Sequence, residues 1–316
     1  MPEMRELGGS GLKTPRLVLG GNVFGFTLKD EQAFRVLDRF VEAGGTMIDT
    51  ADVYSAWVPG HVGGESETLI GEWLRRRGRR DDVLIATKVG MLAGEGGEKL
   101  EPARIAAAAE ASLRRLGTDY VDLYYAHQDD VETPLEDTLR AFDVLQKSGK
   151  VRVLGASNYS AERLAEARAI AAREGLASYQ VLQPEYNLVA RDSFEGGLQR
   201  LCVQENIGVL PYFGLASGFL TGKYRSEADL GKSTRGSRMP QYMTARGFAV
   251  LAALDEVAGE TGATQAQVAL AWLSAQPGVA APIASATSVE QLDELLGAME
   301  LELSVEQIER LSAAAA

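Results

Sequence analysis

TMIDTADVYS (residues 46–55), VLIATKVG (83–90) and VDLYYAHQ (121–128) share a plan: a short apolar run that reads as a buried strand, ended by side chains that carry chemistry. At those ends, or just beyond them, stand Asp49, Tyr54, Lys88 and His127. In a barrel of parallel strands the C-terminal ends converge on one rim. An acid, a phenol, an ammonium and an imidazole can then share one pocket, although His127 lies 78 positions after Asp49.

Outward from these segments the alternation continues. A glycine-rich N-terminal hairpin (MREL, GGSG, LKTP) precedes strand candidates at residues 17–19, 46–49, 83–87, 121–125, 151–156, 179–183, 208–212 and 279–283. Between them apolar residues recur at helical spacing, as in Ile105, Ala109, Leu113 and Leu116, then Leu135, Leu139, Phe142 and Leu145. Pro102 and Pro134 fit first helical positions. Ser288 with Gln291, Thr264 with Gln267, and Ser304 with Gln307 fit capping boxes. Strands alternating with helices predict a parallel sheet in one domain spanning 1–316. No GxGxxG follows the first strand, which weighs against an open dinucleotide-binding sheet; periodicity alone leaves closed barrel and open sheet both standing. Residues 55–64, 89–101 and 214–244 form long or glycine-rich loops on the rim of the strand ends, where lids and binding segments occur.

The four residue types suit proton delivery to a carbonyl. A phenol is a weak acid near neutral pH, with a reference pKa of about 10. An ammonium beside it favours the phenolate, and a carboxylate holds that ammonium charged and in place. On this reading Tyr54 is the acid, and His127 hydrogen-bonds the substrate oxygen and shares its developing charge. A hydride, which no side chain carries, must come from a nicotinamide cofactor. Each residue also has a structural alternative: Asp49 satisfying loop amides, Lys88 projecting to water, Tyr54 packing in its loop, His127 buried in the core.

Composition narrows the classes. With 316 residues and 46% hydrophobic content the chain can bury one large core. A net charge of -12 argues against nucleic acid and anionic membrane as partners. The basic run 75–80 closes a helix expected over 66–77, where cations offset the carbonyl end of the dipole. No apolar run approaches 20 residues and no basic, apolar leader opens the chain, so neither a spanning helix nor a secretory signal is expected. Cys202, the one cysteine, fits a reducing cytoplasm and packs on an apolar face with Phe194, Leu198 and Leu201. Two histidines without metal-binding spacing give no support to a metal site.

The segments IDTADVYS, ATKVG, LYYAHQDD, VRVLGASNYS, LQPEYN, LASGFLTGKY and PIASATSVEQL stand in order along the chain, and with them it resembles the aldo-keto reductases over nearly its whole length. The resemblance implies a (β/α)8 barrel, with Asp49, Tyr54, Lys88 and His127 as catalytic tetrad. It implies that Ser157, Asn158 and Gln183 hold the nicotinamide carboxamide and that Tyr212 stacks on its ring. Phe213, Gly214, Leu215, Ala216, Gly218 and Lys223, with Arg235, match the pyrophosphate loop. Gly20, Gly21, Asn22 and Asp49 match the rim beneath the cofactor; Ser285, Thr287, Gln291 and Glu294 match the adenosine end, near a helix start. NADPH is favoured over NADH by the family habit, yet Thr287 and Ser288 stand where many relatives carry a cation. Phe24, Phe26, Trp57 and Met91 could form an apolar substrate wall, or each could equally be packing for its own loop. A small carbonyl or alcohol is the expected partner. Two other readings remain: a Schiff-base barrel enzyme using Lys88, as in class I aldolases, and a redox-sensing binding protein like the potassium-channel β subunits that resemble the family.

Overall fold

Side chains of a strand alternate between two faces, and a sheet rolled into a barrel turns one face into its interior. The computed structural model of the protein describes residues 2–232 and 236–315. Strands β1 (Arg5–Glu6) and β2 (Lys13–Thr14) form the antiparallel N-terminal hairpin. Eight parallel strands follow: β3 (Val18–Gly20), β4 (Met47–Asp49), β5 (Leu84–Val89), β6 (Val121–Ala126), β7 (Val151–Ser157), β8 (Tyr179–Gln183), β9 (Gly208–Val209) and β10 (Ile283–Ala284). Their order in the sheet is β10 beside β3, then β4 through β9. The two ends of that row meet. Val209 bridges Val279 in parallel sense, Ala280 N donates to Val209 O at 2.9 Å, and Ile283 N donates to Pro211 O at 2.9 Å. The sheet is therefore a closed (β/α)8 barrel.

Helices α1 (Asp30–Glu42), α2 (Glu65–Arg77), α3 (Pro102–Leu116), α4 (Leu135–Lys147), α5 (Ala161–Glu174) and α6 (Gly197–Gln204) each link consecutive strands from β3 to β9. Between β9 and β10 run α7 (Ala245–Thr261) and α8 (Gln265–Ser274); α9 (Val289–Leu296) and α10 (Val305–Ala314) end the fold. Two apolar layers result. Val18, Met47, Ala86, Leu123, Val153 and Val181 face inward and fill the barrel with Leu7 and Leu12 of the hairpin. Leu19, Ile48, Ile85, Tyr124, Leu154 and Leu182 face outward beneath the helices.

Several local expectations are corrected. The strand pattern at 208–212 and 279–283 gives only Gly208–Val209 and Ile283–Ala284, because Pro211 and Pro282 lack the N–H that would continue a ladder. Pro134 is the N-cap of α4, one position ahead of the expected site. Thr264–Gln267 and Ser304–Gln307 form full capping boxes. Ser288 caps Gln291 N, but the Gln291 side chain turns instead to Thr287, accepting from its N and Oγ1, each at 2.9 Å. In the basic run, Arg76 pairs with Glu31, Arg77 and Arg79 with Asp82, and Arg80 with Asp122. Cys202 is buried, and burial pushes its thiol up to about 12, as inert packing requires. Among the described residues no helix is long and apolar enough to cross a membrane.

Candidate active site

The inward phase of each strand runs one step past its apolar part, and there the interior turns polar. Met47 is followed two residues later by Asp49, Ala86 by Lys88, Tyr125 by His127 and Val181 by Gln183. Register holds these ends level: Gly20 lies opposite Asp49, Lys88 opposite Tyr125, and Ser157 opposite Gln183. After β4 the chain keeps climbing along β5, with Thr50 N donating to Ala86 O and Asp52 N to Lys88 O. It then turns, and Ser55 takes a positive φ of 74° while its hydroxyl donates to Phe24 O at 3.0 Å. That turn sets Tyr54 over Lys88.

Lys88 is fully buried, and its Nζ donates to Asp49 Oδ2 at 2.6 Å, Thr50 O at 2.7 Å and Tyr54 Oη at 2.8 Å. The Tyr54 ring meets His127 edge-on, with centroids 6.1 Å apart. His127 is buried, and its Nδ1 has no hydrogen-bond partner among the described residues. The structure thus brings all four expected side chains together. Removing Asp49 would strand a buried ammonium, a loss of about 3–5 kcal/mol for pairs of this kind.

Burial holds the Tyr54 phenol well above its ordinary pKa, and the adjacent Asp49 carboxylate adds to the rise. The Lys88 ammonium at 2.8 Å acts in the opposite sense, and the raised pKa leaves Tyr54 a protonated phenol. Burial lowers the pKa of Lys88, with Asp49 as the largest opposing influence. His127 is held well below the usual imidazole range by burial and then by Lys88, so it is neutral and can present an N–H.

Beside the four, Gln183 Nε2 donates to Asp49 Oδ1 at 2.8 Å and Ser157 Oγ donates to Gln183 O at 2.7 Å. Asn158, at a positive φ of 57°, donates through Nδ2 to His127 O at 2.9 Å and accepts from Tyr212 Oη at 2.8 Å. Across the closing seam Ser285 Oγ donates to Asn22 Oδ1 at 2.7 Å, and a Cβ on Gly20 would lie 2.5 Å from that Oγ. Phe213, Ala216, Ser217 and Gly218 all take positive φ, bending residues 213–218 into a tight arch. Gly214 lies buried in this arch, Leu215 half-buried. Gly21 N donates to Asp49 O, which joins β3 to the tetrad. Lys223, Thr287, Gln291 and Glu294 are exposed. Arg235 lies outside the described residues.

Of the expected wall, Phe24 is fully buried in the core, where its side chain packs inside the rim and offers no face to a ligand. Trp57 is 52% exposed and meets both Phe26 and Tyr54 edge-on, at 6.1 and 6.2 Å. Met91 is 41% exposed. The sequence reading misses Thr50, whose carbonyl takes one Lys88 proton, and the buried pair of Asp52 with Arg104. A signal for the pair exists: a cation in the first turn of a helix opposes the dipole and implies a partner elsewhere.

Eight parallel strands thus close into a barrel whose rim holds a buried acid–lysine–tyrosine cluster beside a histidine. The profile of the Aldo/keto reductase family matches residues 16–316. The chain is 34% identical over 308 residues to a probable voltage-gated potassium channel subunit beta of Arabidopsis thaliana, covering 95% of this chain and 92% of that one. It is 33% identical over 309 residues to an aldo-keto reductase of Strobilurus tenacellus, covering 96% and 86%. An aldo-keto reductase of Schizosaccharomyces pombe named for NADP(+) is 32% identical over 276 residues, covering 85% and 78%. The chain belongs to the aldo/keto reductase family of oxidoreductases.

Proposed function

We propose that this protein is an NAD(P)H-dependent aldo-keto reductase that moves hydride between the cofactor and an aldehyde or ketone, or the corresponding alcohol. The observation that carries the reading is the Lys88 Nζ bonded at once to Asp49 and Tyr54, with the unpartnered imidazole nitrogen of His127 beside them. A nicotinamide nucleotide, when bound, supplies the hydride. The donor set suits it. Ser157, Asn158 and Gln183 offer donors and acceptors to a carboxamide, Tyr212 offers a ring face, and the 213–218 arch with Lys223 suits phosphates.

Tyr54 and His127 then act on the substrate oxygen. The phenol stays protonated at neutral pH and gives its proton, while neutral His127 donates a hydrogen bond that orients the oxygen. Lys88 holds the phenol oxygen in place and stabilises the charge left on it; Asp49 and Thr50 O hold Lys88. In the oxidative direction Tyr54 is the base. The same three acceptors engage all protons of Nζ, which disfavours Lys88 as a Schiff-base nucleophile. NADPH is favoured over NADH, supported by the yeast relative named for NADP(+).

The test is Tyr54→Phe. Turnover of a carbonyl panel should fall about 10²- to 10⁴-fold, while cofactor affinity, followed by nicotinamide fluorescence with NADPH and NADH, stays near wild type. Unimpaired turnover in the variant ends the assignment. The potassium-channel β relatives favour a second reading, a redox sensor that retains its cofactor. One slow turnover followed by tight retention would select it over steady-state reduction.

A further inference from the structure

We infer that Arg104 is a positioning residue for substrate: it clasps the loop after β5 to the loop after β4, fixing the two rim segments that carry Met91 and Trp57. This rests on the reductase reading for its substrate, though not for its geometry.

The segment GMLAGEGGEK (90–99) has little to hold it. Residue 91 and residues 93–98 are exposed, five of the ten are small Gly or Ala, and in the middle Gly94 and Gly97 exchange hydrogen bonds, with Lys99 paired to Glu132 at the far end. Arg104 supplies the missing ties. Its side chain is only 7% exposed, and its Nε donates to Leu92 O at 2.9 Å and Nη1 to Glu95 O at 3.2 Å. Nη2 reaches Asp52 Oδ2 at 3.3 Å, two residues before Tyr54. The guanidinium fork spreads its donors over three nitrogens in fixed directions, which suits acceptors on two separate loops, whereas an ammonium gathers its donors on one atom.

The second loop is locked to the first by shape. A Cβ on Gly63 would stand 2.7 Å from Asp52 O and 2.8 Å from Leu92 Cδ2, so Leu92 packs into the space this glycine leaves. Asp52, Leu92 and Arg104 therefore form one junction between residues 52–63 and 90–95. The Arg104 guanidinium bonds Leu92 O, Glu95 O and Asp52 and not Asp49, Tyr54, Lys88 or His127, so its effect falls on where the loops sit and not on proton transfer.

The experiment compares Arg104→Lys and Arg104→Gln with the wild type, measuring kcat and KM for the best carbonyl, cofactor affinity, and hydrogen exchange of residues 90–97. Arg104→Lys keeps a cation for Asp52 and guards against simple misfolding. In both variants KM should rise at least about fivefold with kcat changed less than about twofold, the signature of lost substrate positioning. Cofactor affinity should hold, and exchange at 90–97 should quicken. Unchanged KM with unchanged exchange overturns the clasp, as does a fall in kcat and cofactor affinity together. If no carbonyl is turned over, the reductase reading fails by itself, and exchange at 90–97 still decides whether Arg104 holds the loop.

Discussion

Lys88 meets three oxygens, so its position is fixed before any ligand arrives, and the phenol above it inherits that rigidity. The raised pKa of Tyr54 gives a pH prediction with a definite sign. A group whose pKa lies above about 10 keeps its proton as the pH rises through the neutral and mildly alkaline range. Carbonyl reduction should therefore show no loss from Tyr54 ionisation up to about pH 10, whereas alcohol oxidation should keep rising over the same range. A reduction limb that falls with a midpoint near pH 8 would show that Lys88 wins over burial. Asp49, Lys88 and His127 are legible in the sequence because each follows an apolar run in the inward phase of its strand. The ionisation of Tyr54 is not, since it depends on how deeply the turn after β4 tucks the ring, and no local pattern encodes that depth.

Helix packing sets its own demand at the scale of elements. Gly71 on α2 faces the turn where α3 ends, and a Cβ there would lie inside the contact distance of Arg115 O. Gly71→Ala should cost about 1–3 kcal/mol by forcing α2 off α3, read as a lower Tm with kcat little changed; an unaltered Tm would mean the helices give way freely. The alternation of strands and helices, and the helix starts at Pro102, Thr264 and Ser304, follow from spacing and caps in the sequence. Barrel closure does not, because it rests on hydrogen bonds from Ala280 and Ile283 to residues some 70 positions earlier. For Phe24 the sequence leaves wall and packing both open, and only the folded chain, in which Phe24 is fully buried and the turn at Ser55 bonds its carbonyl, decides for packing.

For the molecule as a whole, acid–base balance and shape both matter. Asp52 is pushed up to about 7 by burial, with Glu67 adding to the rise and Arg104 and Arg115 opposing it. An unfolded aspartate titrates near about 3.9, so between about pH 4 and 7 the folded chain holds a proton that the unfolded chain has lost. The contribution of this group to stability therefore declines as pH rises through that window and is constant above it. Asp52→Asn is neutral throughout, so the Tm difference between pH 5 and pH 8 should shift toward greater relative stability at pH 8 than in wild type. Equal differences in the two proteins would place the titration elsewhere. The hairpin of β1 and β2 has a practical consequence as well. Leu7 sits among the inward residues of the strands, Leu7 N donates to Leu12 O, and Gly9 N donates to Asn206 O, so the end of the tube opposite the reactive cluster is corked. The reactive cluster sits at the other rim, so a tether or dye joined near residue 2 would hang beneath a sealed base, away from it.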